Sequence, residues 1–157
     1  MTGESLSGRS ATSQARVRQP RTNSAREAPR VRGNVFERVR EIALALPEVT
    51  ERLSHGATCF FVRDKRPICY FHDHHNDDHV SLWCPAPPGV QEALVGSEPG
   101  RYFRPPTSAS GTFSTWLGVY LDTSVDDPVD WDELAEILED AFRLVAPASA
   151  VAAFDRR

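Results

Sequence analysis

At 157 residues with 40% apolar content, the chain is sized for one domain built on one hydrophobic core. Its 18 basic and 22 acidic residues are unevenly placed: residues 1–33 hold seven arginines against two glutamates, a net of +5, and the remainder carries 11 basic and 20 acidic residues, a net of −9. An acidic body excludes strong binding to nucleic acid by overall charge, no apolar run reaches the length of a membrane span, and three cysteines without a C-x-x-C pair fit a reduced, cytoplasmic setting.

The Arg- and Ser-rich segment 1–33 reads as a disordered basic tail, because Leu6, Val17 and Val31 are too few to offset the entropy of ordering it. It could neutralise roughly five phosphates. A domain covering 34–157 follows. Asn34 and Glu37 form a capping-box pattern, and Val35, Phe36, Val39, Ile42, Ala43 and Leu46 recur at helical spacing until Pro47 ends the run. After a loop through Ser54 and Gly56, strand-like runs span Cys59–Arg63, Ile68–Asp73 and His79–Cys84.

A short helix is predicted from about Pro88 to Val95. A brief strand follows at Tyr102 and Phe103, both expected to enter the core, and a last strand covers Trp116–Asp122. The final helix starts at Asp130, with Glu133 completing a second capping box, and runs to Val145 before Pro147. Short turns between neighbouring strands dictate antiparallel pairing, since a parallel crossover needs a dozen or more residues. The expected fold is α+β: a two-layer sandwich in the order α-β-β-β-α-β-β-α, with helices on one face of an antiparallel sheet.

Several spaced segments carry a resemblance: ALALPEV (43–49), CYFHDHHNDDHVSLWCPAPPGVQEALV (69–95), RYFRPP (101–106), LGVYLD (117–122) and DWDELAEILEDAFRLVAP (130–147). Together the chain from Asn34 onward resembles the MmcQ/YjbR family. The resemblance implies the same element order, a fold similar to type III secretion chaperones and loosely to frataxin, a proposed double-wing mode of DNA binding, and no established catalytic residues. The segment TSASGTFSTW (107–116) departs from the family pattern, being polar and longer.

His72, His74, His75 and His79, with Asp73, Asp77 and Asp78, offer nitrogen and oxygen donors for a metal. Their spacing matches no standard zinc motif, and Asn and Asp are ordinary turn formers, so a polar hairpin tip is the favoured reading and a metal site the least favoured. Cys69 and Cys84 fall in phase with inward strand positions, as inert small hydrophobes do, and no phosphate loop or serine elbow is present. No cofactor is called for, and an enzyme is not expected.

Strand alternation turns Phe61, Arg63, Tyr70, His72, Trp83, Trp116 and Tyr120 onto the face away from the helices. Such a face can stack unpaired bases or a small ligand, pack across strands, or bury itself in a homodimer or against a protein partner. Arg63, Tyr70, His72, Trp83, Trp116 and Tyr120 are therefore candidate binding residues, joined by Arg101 and Arg104 of RYFRPP as phosphate contacts. The leading reading is a non-enzymatic DNA-binding domain. The alternative is a chaperone-like protein-interaction module.

Overall fold

A computed structural model describes residues 35–74 and 78–157. The basic segment 1–33, the capping residue Asn34, and His75 and Asp77 of the hairpin tip lie outside the described residues.

Helix α1 (35–44) buries Val39 and Ala43 on one face and sets Phe36 edge-on against Phe71, ring centroids 5.0 Å apart. Strand β1 (Val49–Ser54) leads to β2 (Ala57–Val62) through His55 and Gly56, both at positive φ (54° and 83°). Strand β3 (Arg66–Asp73) follows β2 through Arg63 and Asp64, also at positive φ (54° and 58°), and the Lys65 N–H donates to the Val62 carbonyl at 3.2 Å. Two positive-φ central residues make each a type I′ turn, whose twist matches that of the paired strands.

Strand β4 (Val80–Pro85), helix α2 (Val90–Ser97), strand β5 (Tyr102–Phe103) and strand β6 (Trp116–Tyr120) come next. Helices α3 (Trp131–Val145) and α4 (Ala148–Asp155) finish the described chain. The strands form one antiparallel sheet in the order β1-β2-β3-β4-β6-β5. The α+β fold and the expected order are present, and β1 and α4 join them as additional elements.

Each addition has a physical reason for its faint sequence signal. Strand β1 lies at the edge of the sheet, and VTERLS has two apolar residues, of which Leu53 is 74% exposed. Its Glu51 pairs with Arg40 of α1, and charged side chains on an edge strand discourage further strand pairing. Pro147 does not end the chain's helical structure but occupies the N-cap of α4. There Ala150 is buried, and Phe154 meets Phe142 at 5.9 Å.

The core fills the space between the sheet's inner face and α1, α3 and α4. From the sheet come Phe60, Val62, Ile68, Cys69, Phe71, Leu82, Cys84 and Leu117; from α3 come Leu134, Leu138, Ala141 and Phe142. Asp130 caps α3 by accepting from the Glu133 N–H at 3.0 Å, as the sequence predicts. A bulge between β2 and β3 pairs Phe60 with Cys69 but Phe61 with Pro67, leaving Ile68 without a partner position. Proline, which has no N–H to donate, is tolerated at such a break in the ladder, and the bulge sets the phase that turns Tyr70 outward.

Candidate functional site

The outer face is organised by one row of paired positions crossing the whole sheet: Arg52, Cys59, Tyr70, Trp83, Gly118 and Phe103. A neighbouring row holds His72, Ser81 and Tyr120. The alternation expected from sequence holds in β2, β3, β4 and β6. Phe103 differs: it lies on the outer face, because consecutive strand residues point to opposite sides and Tyr102 takes the core. Gly118 makes room for it, since a Cβ there would sit 2.4 Å from the Phe103 ring.

This face is not open. Trp83 is 6% exposed and His72 5%, and Ser81 is also buried. The cover is the loop 104–115, whose Phe113 projects onto the sheet. Its ring centroid lies 5.7 Å from Tyr70, 5.4 Å from Trp83 and 4.8 Å from Trp116, with interplanar angles of 71–77°. Edge-to-face contacts at these separations suit the ring quadrupoles. His72 packs on Trp83 at 4.1 Å, and Tyr120 sits between Phe103 and His79, each at 4.6 Å. Tyr70, His72, Trp83 and Trp116 thus form one aromatic cluster around Phe113, and Tyr120 forms a second with Phe103 and His79 on the same face.

The candidate arginines do not join it in the same way. Arg63, in the β2–β3 turn, makes a two-point ion pair with Glu48 (2.7 and 3.1 Å) and donates to Ser149 Oγ of α4 at 2.7 Å. That guanidinium holds the Glu48 carboxyl below its ordinary range. Arg101 faces Asp127 and Glu98 and donates to the Pro128 carbonyl, tying down the loop before α3. Arg104 donates to Gln91 at 3.2 Å and is exposed at the root of the covering loop. Arg52, which sequence reasoning passed over, lies over the Phe61 ring at 3.7 Å, at the β1 end of the face.

The described histidines of the hairpin diverge. His72 enters the aromatic surface, His74 pairs with Asp73 at 2.6 Å, and His79 pairs with Asp122 at 3.2 Å. Among the described residues no group of three or more His, Cys, Asp or Glu side chains is placed to hold a metal ion. Burial raises all three thiols, Cys59 and Cys84 to about 12, so they stay protonated near neutral pH and are poor nucleophiles.

Comparison with known proteins adds the lineage of this architecture. A family model described as YjbR matches residues 44–144, from the end of α1 through nearly all of α3. The chain belongs to the YjbR family. No curated protein matches it. The crystal structure of Deinococcus radiodurans protein DR2400, with its DUF419 domain, aligns at a TM-score of 0.57 and 18% identity, covering 73% of this chain and 80% of that one. That likeness is one of fold. No helix among the described residues of this YjbR-family chain is long and apolar enough to cross a membrane.

Phe113 is the residue that sequence reasoning missed. Its signal was a single aromatic inside an otherwise polar loop, TSASGTFST. Gln91 was missed as well: its side-chain amide donates to the carbonyls of Ser114 and Trp116 (3.0 and 2.6 Å), while its oxygen accepts from Arg104. One α2 side chain therefore clasps both ends of the covering loop.

Proposed function

We propose that this YjbR-family chain is a non-enzymatic protein that binds unpaired stretches of nucleic acid, DNA foremost, through the outer face of its sheet. One observation carries the reading: among the described strand residues, the outward positions gather Phe61, Tyr70, His72, Trp83, Phe103, Trp116 and Tyr120 and no carboxylate, with Asp64 of the β2–β3 turn meeting Arg52 and Thr50 at the β1 end. A block of acidic residues lies elsewhere. Asp132, Glu133, Glu136, Glu139 and Asp140 all belong to α3 on the opposite layer. Segregation by face is what lets an acidic protein meet a polyanion. Base stacking on such rings contributes about 1–3 kcal/mol each, whereas the arginines of segment 1–33 can add phosphate contacts without sequence preference. Three free, buried thiols support a reducing, cytoplasmic setting.

A second reading, a protein-interaction module that dimerises or holds a partner chain, is favoured by the ion pairs of Arg63 and Arg101, which leave few cations for phosphates. Band shifts and tryptophan quenching with single-stranded oligonucleotides, at two salt concentrations, separate the two. Binding that survives deletion of residues 1–33 and weakens about fivefold or more in Trp116→Ala supports the sheet face. Binding abolished by the deletion and indifferent to Trp116 assigns it to the basic segment alone. No binding at low salt, together with a mass by light scattering that rises with concentration, favours the protein-interaction reading.

A further inference from the structure

The Phe113 ring sits in a cage of aromatic side chains on the outer face. It is held edge-on by Tyr70, Trp83 and Trp116, three aromatic side chains from three different strands, within 4.8–5.7 Å. We propose that these three rings form a base-binding cage, that Phe113 is its removable plug, and that the ligand which replaces Phe113 is a pyrimidine base of a single strand. This rests on the nucleic-acid reading above and adds to it a specific subsite, a size selection and a gate.

Four features of the covering loop support a plug rather than a permanent part of the core. Phe113 adopts φ 72°, a left-handed backbone that a bulky L-residue rarely takes, and Gly111 nearby stands at φ 84°. Residues 107–112 are exposed, and their hydrogen bonds stay within the loop, as in Thr107 Oγ1 to the Thr112 carbonyl at 2.7 Å and the Ser114 N–H to the Gly111 carbonyl at 3.0 Å. Phe113 carries the one aromatic ring among residues 107–115, and that ring meets all three cage rings. The hold at the loop's ends is the Gln91 clasp, one amide side chain that is easily exchanged for other partners.

Ring size sets the selection. Phe113 presents a single six-membered ring to the cage, so on this proposal a pyrimidine takes its place as it stands, whereas a bicyclic purine requires the surrounding rings to move apart. Opening also leaves donors at the rim. Once the loop lifts from Gln91, part of that amide and the Arg104 guanidinium become available to the carbonyls of a base and to its phosphate. Arg63 and Arg101, occupied by carboxylates, take no part.

The test measures affinity of the full-length chain for labelled (dT)12 and (dA)12 at one fixed low salt concentration. Emptying the cage with Phe113→Ala should tighten (dT)12 about tenfold, the cost of unseating the Phe113 ring from its aromatic neighbours, with a smaller gain for (dA)12. Adding Trp116→Ala to that variant should erase the gain, and Phe113→Tyr should behave as wild type. Gln91→Ala, which loosens the clasp and leaves the cage rings in place, should move (dT)12 affinity the same way by a lesser factor. It keeps the proposal testable should Phe113→Ala fold poorly. Binding by wild type that Phe113→Ala and Gln91→Ala leave unchanged overturns the plug and spares the nucleic-acid reading. No binding by any variant overturns both, and an equal gain for (dA)12 overturns the size selection. A gain for a phenylalanine-bearing peptide in place of the oligonucleotides overturns the choice of ligand.

Discussion

The two faces of one sheet are both covered, but by different means. The inner face lies under regular helices whose apolar stripes meet it along their length, and Leu138, Ala141 and Phe142 are wholly buried there. The outer face lies under an irregular loop that engages the cage rings with a single side chain, Phe113, from a left-handed backbone. A helix-covered face holds its cover through many cooperating contacts. A loop-covered face holds its cover through few, here the Phe113 ring and the Gln91 clasp. The first arrangement serves stability, and the second suits a surface meant to change partners.

If the contrast is real, damage to the two faces should differ in kind. The largest loss is expected from Phe142→Ala on α3, about 3–5 kcal/mol in urea unfolding, because the vacated volume cannot be refilled by rigid neighbours. A value under about 1 kcal/mol would show the helical layer to be as loosely held as the loop. On the outer face, Gly118→Val should cost about 1–3 kcal/mol by driving the Phe103 ring off the sheet. Its signature is altered near-ultraviolet circular dichroism from the aromatic surface, with the far-ultraviolet spectrum kept.

The smallest effect concerns neither face but the turn that joins two strands. Arg63 lowers the Glu48 carboxyl below its ordinary value of 4.5, so the pair's contribution is complete above that pH and fades as the pH falls through the lowered value. Glu48→Gln should therefore flatten the acid side of the stability profile below about pH 4.5 while changing little at pH 7. Both side chains are exposed, so the change is modest. An unchanged acid limb would mean that the ion pair contributes nothing to folding.

What the sequence made legible follows the range of the forces involved. Alternation in β3, β4 and β6 and the Asp130 cap of α3 are local patterns, so their elements and facing directions could be read directly, whereas Glu133 accepts from the Tyr102 hydroxyl instead of closing the capping box. Strand β1 could not, since an edge strand needs little apolar character, and its hairpin turn uses His-Gly rather than a stronger turn pair. Helix α4 is short and rich in small residues, and its stability comes from contacts such as Phe154 with Phe142 that no local pattern encodes.

The same division runs through the candidate site. Alternation assigned Tyr70, His72, Trp83, Trp116 and Tyr120 to one face, a local deduction. That Arg63 would be taken by Glu48, and Arg101 by Asp127, depends on partners 15 and 26 positions away. Likewise, nothing local in TSASGTFST says that the loop folds back over the sheet and closes the face that strand alternation turns away from the helices.

The chain's three tryptophans report on the central claim, that the outer face is the binding surface. Trp83 and Trp116 belong to the aromatic surface, while Trp131 opens α3 in the helical layer under the Arg38 guanidinium. Titrating the full-length protein with a single-stranded oligonucleotide and following the three indole N–H resonances by NMR tests both layers at once. The account predicts saturable shifts for Trp83 and Trp116 with Trp131 unmoved; shifts confined to Trp131, or no shift in any indole while the oligonucleotide binds, would contradict it.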